Sequence, residues 1–566
     1  MSVAATSLTI TDPLIGPGSL VSTGAASGTV ATILLAGDNT YAGDTTNAAA
    51  AVVLQLGAGG TSGSVRGRIQ NNAGAVSYYR SDAYTFTNPL AGNGSFYVRT
   101  PAGLTFAPPA PVTSSGTMSV GNISYGQLIV PSGVTMTYGN YFFGDSSGIN
   151  GDASQLGGTV TVTAQMRVGH WPSAAASTYF MGGGTLSLTA LPAGVPNPAS
   201  GEVGGILYLG IDGTGVFIQT GGVASAHGIV FDARANNVGG GTGNGGIDTL
   251  ILNGGRFNVG PSALKSGSLD ANTSYAIQLG GGTLGSSANW TSVLAMTLTG
   301  TNGNTTFDSG SNSNVLTGAI GGPGGLIKTG AGTLALTGSA GYQGGTLVNQ
   351  GVLLVRGTLG GNLVGVAVNG GTLAGDGTIN DAVNVNANGT VSPGTGIAKL
   401  SVNGVVTLAG TTLMDINKTG ATRTNDQLFG SAVGFGGTLT VTASGDALAP
   451  GDAFKLFTAG SYSGAFALLN LPTLSSNYFW DITQLSIDGS IRVAQPMPRI
   501  TFLRTGNSIE LTWSNGFSDF VLQAQTNAFG VGIQSNNWFA VTNGTNSVTL
   551  EIDQNNGSVF YRLIKP

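Results

Sequence analysis

The chain contains 566 residues, of which 97 are glycine and 8% are charged, and its formal net charge is -5. Globular proteins carry about 25% charged residues and about 7% glycine, so both values are unusual. A hydrophobic fraction of 41% excludes a disordered chain. The lack of any cluster of Lys and Arg argues against a nucleic-acid partner, and the absence of cysteine excludes disulfides and thiolate metal sites.

The N-terminal segment "MSVAATSLTITDPLIG" has neither the charged start nor the apolar centre of a signal peptide, so we expect none. No apolar stretch reaches the roughly 18 residues of a membrane-spanning helix, so we expect no membrane span. The same segment, with Leu8 and Ile10, is a candidate donated strand that would pair with an adjacent copy of the chain.

Most of the chain alternates apolar and polar residues with a period of two. Examples begin with glycine pairs at Gly157 ("GGTVTVTAQ"), Gly183 ("GGTLSLTA") and Gly204 ("GGILYLGI"). This alternation, bounded by glycine, predicts short strands joined by tight turns. The three pairs are 26 and 21 residues apart, which is typical of one turn of a coiled β-structure.

These features predict an all-β fold, a right-handed parallel β-helix (β-solenoid) with a small C-terminal β-sandwich module. Thr, Val and Leu would form inner columns, and glycine would supply the positive φ angles of the corners. A β-propeller is the alternative, but it would need a regular aromatic motif in each blade, and the five tryptophans follow no such pattern.

An internal duplication supports the repeat architecture. The stretch Gly16–Gly24 ("GPGSLVSTG") returns as Gly322–Gly330 ("GPGGLIKTG"). The residues that follow each copy align Tyr41 with Tyr342. One structural unit is therefore expected near the start of the chain and again after residue 320.

The second copy carries a family resemblance. Residues Gly324–Gly357, "GGLIKTGAGTLALTGSAGYQGGTLVNQGVLLVRG", resemble the autotransporter-associated β-strand repeat. The resemblance implies a bacterial, secreted or surface-exposed, passenger-type parallel β-helix. Autotransporters end in an outer-membrane β-barrel, whereas the short segment after the repeat region here reads as a compact module. We therefore expect another export route.

Three regions are predicted. Residues 1–320 form an N-terminal β-solenoid with irregular turns, residues 321–494 form the repeat and an end cap, and residues 499–566 form the β-sandwich module. The expected core of the module consists of Phe502, Leu511, Trp513, Phe520, Leu522, Trp538, Val548, Leu550 and Phe560.

Residues suited to catalysis are sparse. The two histidines, His170 and His227, have no His or carboxylate at metal-ligand spacing, so we expect structural roles for both. A weak candidate for an acidic cleft is the set Asp212, Asp232 and Asp248. The other interpretation is that these aspartates lie on the surface. We expect no enzymatic activity, no cofactor and no metal.

Two aromatic clusters, "SYYRSDAYTF" and "TYGNYFFGD", allow two interpretations. Exposed rings would stack on sugars or contact a neighbouring copy, and buried rings would plug the coil. The candidate residues for self-assembly or glycan contact are Tyr78, Tyr79, Tyr84, Tyr138, Tyr141 and Phe142.

The sequence favours an extracellular structural protein whose partners are copies of itself. The ends of a β-helix carry unpaired backbone groups, and a head-to-tail contact between ends would give a filament or a surface layer. The alternative is a surface adhesin or glycan-binding protein that contacts cell-surface or matrix polysaccharide. A polysaccharide lyase or hydrolase is the least favoured hypothesis, because no catalytic cluster is visible.

Overall fold

The structure is a computed structural model. It describes residues 7–23, 30–189, 204–231, 246–267, 274–361, 364–475, 477–514, 517, 519–542 and 546–565. Within these ranges the regular structure consists of β-strands, and the predicted all-β fold is confirmed. The prediction for Asp232 lies outside the described residues.

A parallel β-solenoid makes up most of the chain. Its strands form sheets of 22, 16 and ten strands and a further four-stranded sheet near the N-terminal end. In the repeat region the strand Leu326–Thr329 pairs in parallel with Thr346–Val348, which pairs with Val366–Val368. The ladder also continues through the strand Ile320–Gly321, which pairs on both sides. Each turn is thus held by the turns before and after it.

Inward-facing residues of successive turns stack into continuous columns. One column begins at Leu8, which is in register with Ile33, and Ile33 is in register with Leu54. From Leu54 onward the members of this column are at most 1% exposed. The registers continue it through Val76, Phe96, Met118, Tyr141, Met166, Leu207, Ile229 and Leu264.

Glycine is required where the corners of successive turns touch. Gly158, Gly184 and Gly222 have φ values of 67°, 78° and 70°. A Cβ on Gly184 would lie 2.3 Å from the carbonyl oxygen of Gly158, and a Cβ on Gly222 would lie 2.5 Å from that of Gly184. Both the positive φ and the close approach exclude a side chain.

Of the two predicted intervals between glycine pairs, only the first corresponds to one turn of the coil. The pairs at 157 and 183 are successive turns of one corner, and the next turn of that corner is Gly221–Gly222. The pair at 204 precedes the strand Ile206–Leu209, which pairs with Thr159–Val168 in another part of the turn. The predicted interval of 21 residues is therefore not a turn.

The first described turn starts with the strand Ser7–Ile10. This strand pairs in parallel with Ala31–Leu35. No described strand pairs with its other edge. Leu8 and Ile10 are half-buried, although the residues two turns further along their columns, Leu54 and Leu56, are 0% exposed.

The last turn of the solenoid contains the strands Phe457–Ala459, Tyr462–Gly464 and Leu468–Asn470. The Phe435 ring lies 5.0 Å from the Phe457 and Phe466 rings and 5.8 Å from the Tyr462 ring. Aromatic rings therefore occupy the interior of this turn.

The chain forms two compact units. The solenoid unit comprises residues 1–415, 426–440 and 457–470, and the second unit comprises residues 416–425, 441–456 and 471–566. The second unit contains an antiparallel sheet with the strands Ala453–Lys455, Ser490–Ala494 and Phe479–Asp481.

The C-terminal module contains two three-stranded antiparallel sheets. Its core is formed by Leu511, Trp513, Phe517 and Leu522. The strands of the first sheet are Thr501–Thr505, Ser508–Thr512 and Ser547–Glu551, and those of the second are Phe539–Thr542, Val521–Asn527 and Ser558–Ile564. The predicted small sandwich is confirmed.

Three predicted core residues of the module, Phe502, Trp538 and Phe560, do not belong to its core cluster. Trp538 and Phe560 are half-buried outside that cluster. Phe502 is in register with Leu511, which is 3% exposed, so it lies on the core-facing side of its sheet. Phe502 is nevertheless 72% exposed. The reason is its position on an edge strand, where the other sheet does not cover it.

Candidate functional site

Three of the six aromatic candidates are buried in the solenoid. Tyr78 and Tyr141 are 0% exposed and Tyr138 is 1% exposed. Each takes an inward position: Tyr78 is in register with Leu56, for example, and Tyr141 with Met118. The hypothesis that these three rings contact glycans or a neighbouring copy is therefore wrong, since column positions point away from solvent. Burial raises the pKa of all three hydroxyls.

The other three candidates, Tyr79, Tyr84 and Phe142, are half-exposed. The Tyr84 ring lies 4.5 Å below the Arg80 guanidinium, which is bonded to Asp82 at 2.9 Å. Tyr84 takes an inward position, in register with Leu104 and stacked on the Tyr78 ring at 5.5 Å, whereas Tyr79 and Phe142 lie on the outer surface of the coil.

The structure places Phe142 in a polar network on the outer face of the largest sheet. His170 Nδ1 lies 2.9 Å from Asp145 Oδ1, and His170 Nε2 lies 2.6 Å from an Arg167 nitrogen. Because a guanidinium can only donate, Nε2 accepts from Arg167 and Nδ1 donates its proton to Asp145. The Phe142 ring covers both groups, at 4.8 Å from the imidazole and 4.9 Å from Arg167 Cζ.

A second arginine extends the polar contacts towards the first turns. Arg99 donates to Gln55 Oε1 at 3.0 Å and to Asn122 Oδ1 at 2.8 Å, so it links three separate turns. Arg99 is 5% exposed, and this burial lowers the pKa of its guanidinium to about 10. Its bonds go to amide oxygens, which satisfy donors without neutralising the charge.

No motif in the sequence indicates this network, because Asp145 comes from a different turn of the coil than Arg167 and His170. Asp145 and His170 are 25 residues apart, which is about one turn of the coil. Searching for ionisable pairs at the turn spacing, rather than at metal-ligand spacing, could have found them. The network connects adjacent turns of the coil. His170 Nε2 already accepts from Arg167, so this nitrogen is not available as a base for another group. Among the described residues no cluster of His, Cys, Asp or Glu could hold a metal ion.

The acidic candidates do not form an open cleft in the described structure. Asp212 and Asp248 are both 4% exposed. Asp248 accepts a hydrogen bond from the Gly215 backbone at 2.9 Å, and its carboxylate lies so close to Gly210 that a Cβ there would clash. The acidic-cleft hypothesis is therefore wrong for these two residues, because both side chains are buried within the coil.

The second histidine, His227, contacts Ser262 Oγ through Nδ1 at 2.8 Å. Burial, followed by the charge of Lys265, lowers its pKa. A lowered pKa keeps the imidazole neutral near pH 7.

The first turn is one of the places where a strand has an open edge in the described structure. The Ala36 N–H donates to the Ile10 carbonyl, so the backbone groups of Leu8 and Ile10 face the next strand. Since successive residues of a strand point their backbone groups to opposite sides, the N–H and C=O of Thr9 face the open edge. Leu8 and Ile10 thus belong to a strand that is built into its own coil, with one edge available for pairing.

The two copies of the duplicated unit share a buried hydrogen bond. Tyr41 OH lies 2.5 Å from Thr45 Oγ1, and Tyr342 OH lies 2.5 Å from Thr346 Oγ1. The copies differ where Lys328 replaces Ser22. Lys328 Nζ donates to the carbonyls of Thr329, Gly330 and Gln350 at 2.7, 2.8 and 3.1 Å, whereas Ser22 Oγ donates to Asn47 Oδ1 at 2.7 Å.

Comparison with known families identifies this unit. Residues 31–46 and 326–355 match the passenger-associated-transport-repeat. The first match covers the residues around Tyr41 that follow Gly16–Gly24, and the second lies within Gly324–Gly357 and contains Tyr342. The chain therefore has the fold and the repeats of an autotransporter passenger-type β-helix, and the repeats indicate a secreted or surface passenger domain.

No curated protein matches the chain. In the described part of the chain, no helix has the length and apolar character needed to cross a membrane.

Proposed function

We propose that the protein is an extracellular structural protein whose copies associate head to tail through the open first turn of the solenoid, giving a filament or a surface layer. The observation that carries this proposal is the strand Ser7–Ile10. It has one paired edge and one edge without a described partner, and its inward residues Leu8 and Ile10 are only half-buried. Unpaired edges of this kind add strands from other chains.

The charge of the chain supports the same proposal. With 19 basic and 24 acidic residues in 566, like copies repel one another weakly. The strand Ser7–Ile10 ("SLTI") contains neither a charged residue nor proline, which are the usual means of protecting an edge from association.

Negative-stain microscopy of the purified protein over a range of concentrations tests the proposal. We expect extended assemblies above a threshold concentration and monomers below it. Monomers at every concentration would contradict the proposal.

A glycan-binding role is the second candidate, and half-exposed rings on the outer face favour it. Phe142 and Trp171 both pack against His170, with ring centroids 4.8 and 5.5 Å from the imidazole. Half-exposed aromatic faces can stack on sugar rings. Screening against a glycan array, with Trp171→Ala as the comparison variant, tests this role. Binding that is unchanged in Trp171→Ala would argue against it.

A further inference from the structure

We infer that the partner of the open first strand is the edge strand Thr501–Thr505 of the C-terminal module of another copy. The inference rests on the proposed function, since it names the two surfaces of the same head-to-tail contact. It follows from three properties of that edge strand: its exposure, an uncovered core position and its charge.

The edge strand Thr501–Thr505 is exposed along its whole length. It pairs on one side with Ser508–Thr512, and no described strand pairs with its other side. All five residues are exposed, including Phe502 at 72% and Leu503 at 62%. Such an edge presents a row of free backbone donors and acceptors to a second strand.

Phe502 lies on the core-facing side of its sheet but is largely exposed. Its neighbours in register, Leu511 and Val548, belong to the packed interior of the module. A strand added beside Thr501–Thr505 would extend this sheet and place apolar side chains next to Phe502. Leu8 and Ile10 are apolar side chains of the required kind, at alternate positions of a four-residue strand.

Charge favours this pair of edges. Residues 1 to 65 contain Asp12, Asp38 and Asp44 and neither Lys nor Arg. The edge strand contains Arg504 and follows Arg499, both of which are exposed. In the described structure neither arginine makes an ion pair. The Asp12 side chain, just after the first strand, and these two cations are complementary.

Two other edge strands of the module are less suitable. The strand Ser547–Glu551, on the opposite edge of the same sheet, carries exposed Glu551, which would repel the acidic first turn. In the second sheet, Arg562 donates to Gln523 Oε1 at 2.9 Å and lies 4.1 Å from the Trp538 ring. The Arg562 guanidinium is therefore already engaged by Gln523 and Trp538.

A contact between one end of the chain and a different surface near the other end is heterologous. Each copy then offers one first strand and one edge strand, and the contact repeats from copy to copy. The result is a growing chain of molecules rather than a closed dimer, unless the rotation between copies closes a ring.

Cysteine trapping tests the contact directly, because the chain contains no cysteine of its own. Protein with Thr9→Cys is mixed under mild oxidation with protein carrying Thr501→Cys, Leu503→Cys or Thr505→Cys, all exposed positions. Paired strands bring Cα atoms to about 4.5–5.5 Å, within the reach of a disulfide. The matched control is Thr549→Cys, which is exposed on the opposite edge of the same sheet.

We expect covalent dimers with at least one of the three edge-strand cysteines, several-fold more than with the Thr549→Cys control. The inference is overturned if wild-type protein assembles but none of the three cross-links better than the control. If wild-type protein remains monomeric, the proposed function itself fails, and the two failures are thus distinguished.

A charge exchange provides an independent test. Arg504→Glu should raise the threshold concentration for assembly about two- to five-fold, and Asp12→Lys in the same chain should restore it. The difference should vanish near 1 M salt, where charges are screened within about 3 Å. Arg562→Glu, the same charge reversal at an exposed residue of the second sheet, serves as the control and should leave the threshold unchanged. Failure of Asp12→Lys to restore assembly would overturn the proposed pairing.

Discussion

The interior turns and the first turn of the solenoid contribute residues to the same columns. A residue of an interior turn is covered by a turn on each side, whereas a residue of the first turn is covered on one side. Leu54 has a turn on each side and is 0% exposed, whereas Leu8, at the start of the same column, is half-buried. In a repeat protein, stability is approximately a sum of terms between adjacent turns. The first turn, as a terminal turn, therefore contributes less to the stability of its molecule than an interior turn does, and a strand from another copy would bury its side chains further.

The last turn of the solenoid shows a different solution. There, the rings of Phe435, Phe457, Tyr462 and Phe466 pack against one another. The chain thus fills one terminal turn with aromatic side chains and the first described turn with the aliphatic side chains of Leu8 and Ile10. The strands of the last turn also pair on one side only in the described structure, so the two ends differ in their filling and not in having open edges.

The largest effect is expected from truncating a residue of an interior column. Phe96→Ala should destabilise the protein by about 3–5 kcal/mol, because Phe96 is 0% exposed and truncation leaves a cavity between Val76 and Met118. Leu8→Ala, at the open end, should cost less than about 1 kcal/mol. Urea unfolding followed by circular dichroism measures both. Equal costs would contradict the difference between the turns.

The next effect concerns the glycine corners. Gly184→Ala should cost about 2–4 kcal/mol, since its φ of 78° disfavours a side chain and the added Cβ would approach the carbonyl oxygen of Gly158. Gly321→Ala is the matched control, because nothing lies within 4 Å of the added Cβ. The control should unfold at nearly the wild-type urea concentration. A similar shift in both variants would show that corner contacts are not the cause.

A smaller effect depends on pH and separates the two repeat copies. Burial lowers the pKa of Lys328 to about 8, below the ordinary value of 10.5. Between these two values the unfolded chain binds a proton that the folded chain does not, so stability increases as pH rises. The free energy of unfolding of wild type, relative to Lys328→Met, should therefore rise by about 1–2 kcal/mol between pH 8 and pH 10.

The corresponding substitution in the first copy, Ser22→Ala, supplies the control for this pH effect. A hydroxyl group does not titrate in this range, so its stability difference from wild type should stay constant with pH. A difference for Lys328→Met that is flat or falls with increasing pH would contradict the assigned cause.

The sequence predicted the solenoid well because the determinants of a parallel coil are local. Alternation of apolar residues and glycine at corners are visible within one turn, and the match between Tyr41 and Tyr342 revealed the repeat. The sequence alone could not show which rings of the aromatic clusters point into the coil and which point outward. Tyr141 and Phe142 are adjacent, and only the register with Met118 and its neighbours decides that Tyr141 points inward.

The polar network on the outer face could not be predicted from the sequence, for a related reason. Asp145, His170 and Arg167 meet because one turn of the coil is about 25 residues here. That length varies along the chain, so it could not be set from the sequence. Open ends of the coil were expected, but the first strand was predicted to be donated to another copy, whereas it pairs with the second turn of its own chain.

The most direct measurement is sedimentation velocity of wild type, Thr9→Pro and Thr9→Val over the same range of concentrations. Thr9→Pro removes a backbone N–H that faces the open edge and leaves the bonds to the strand Ala31–Leu35 in place, whereas Thr9→Val keeps that N–H. We expect wild type and Thr9→Val to assemble and Thr9→Pro to remain monomeric with unchanged circular dichroism. Assembly of Thr9→Pro at the wild-type threshold would contradict the central claim that copies associate through the open first strand.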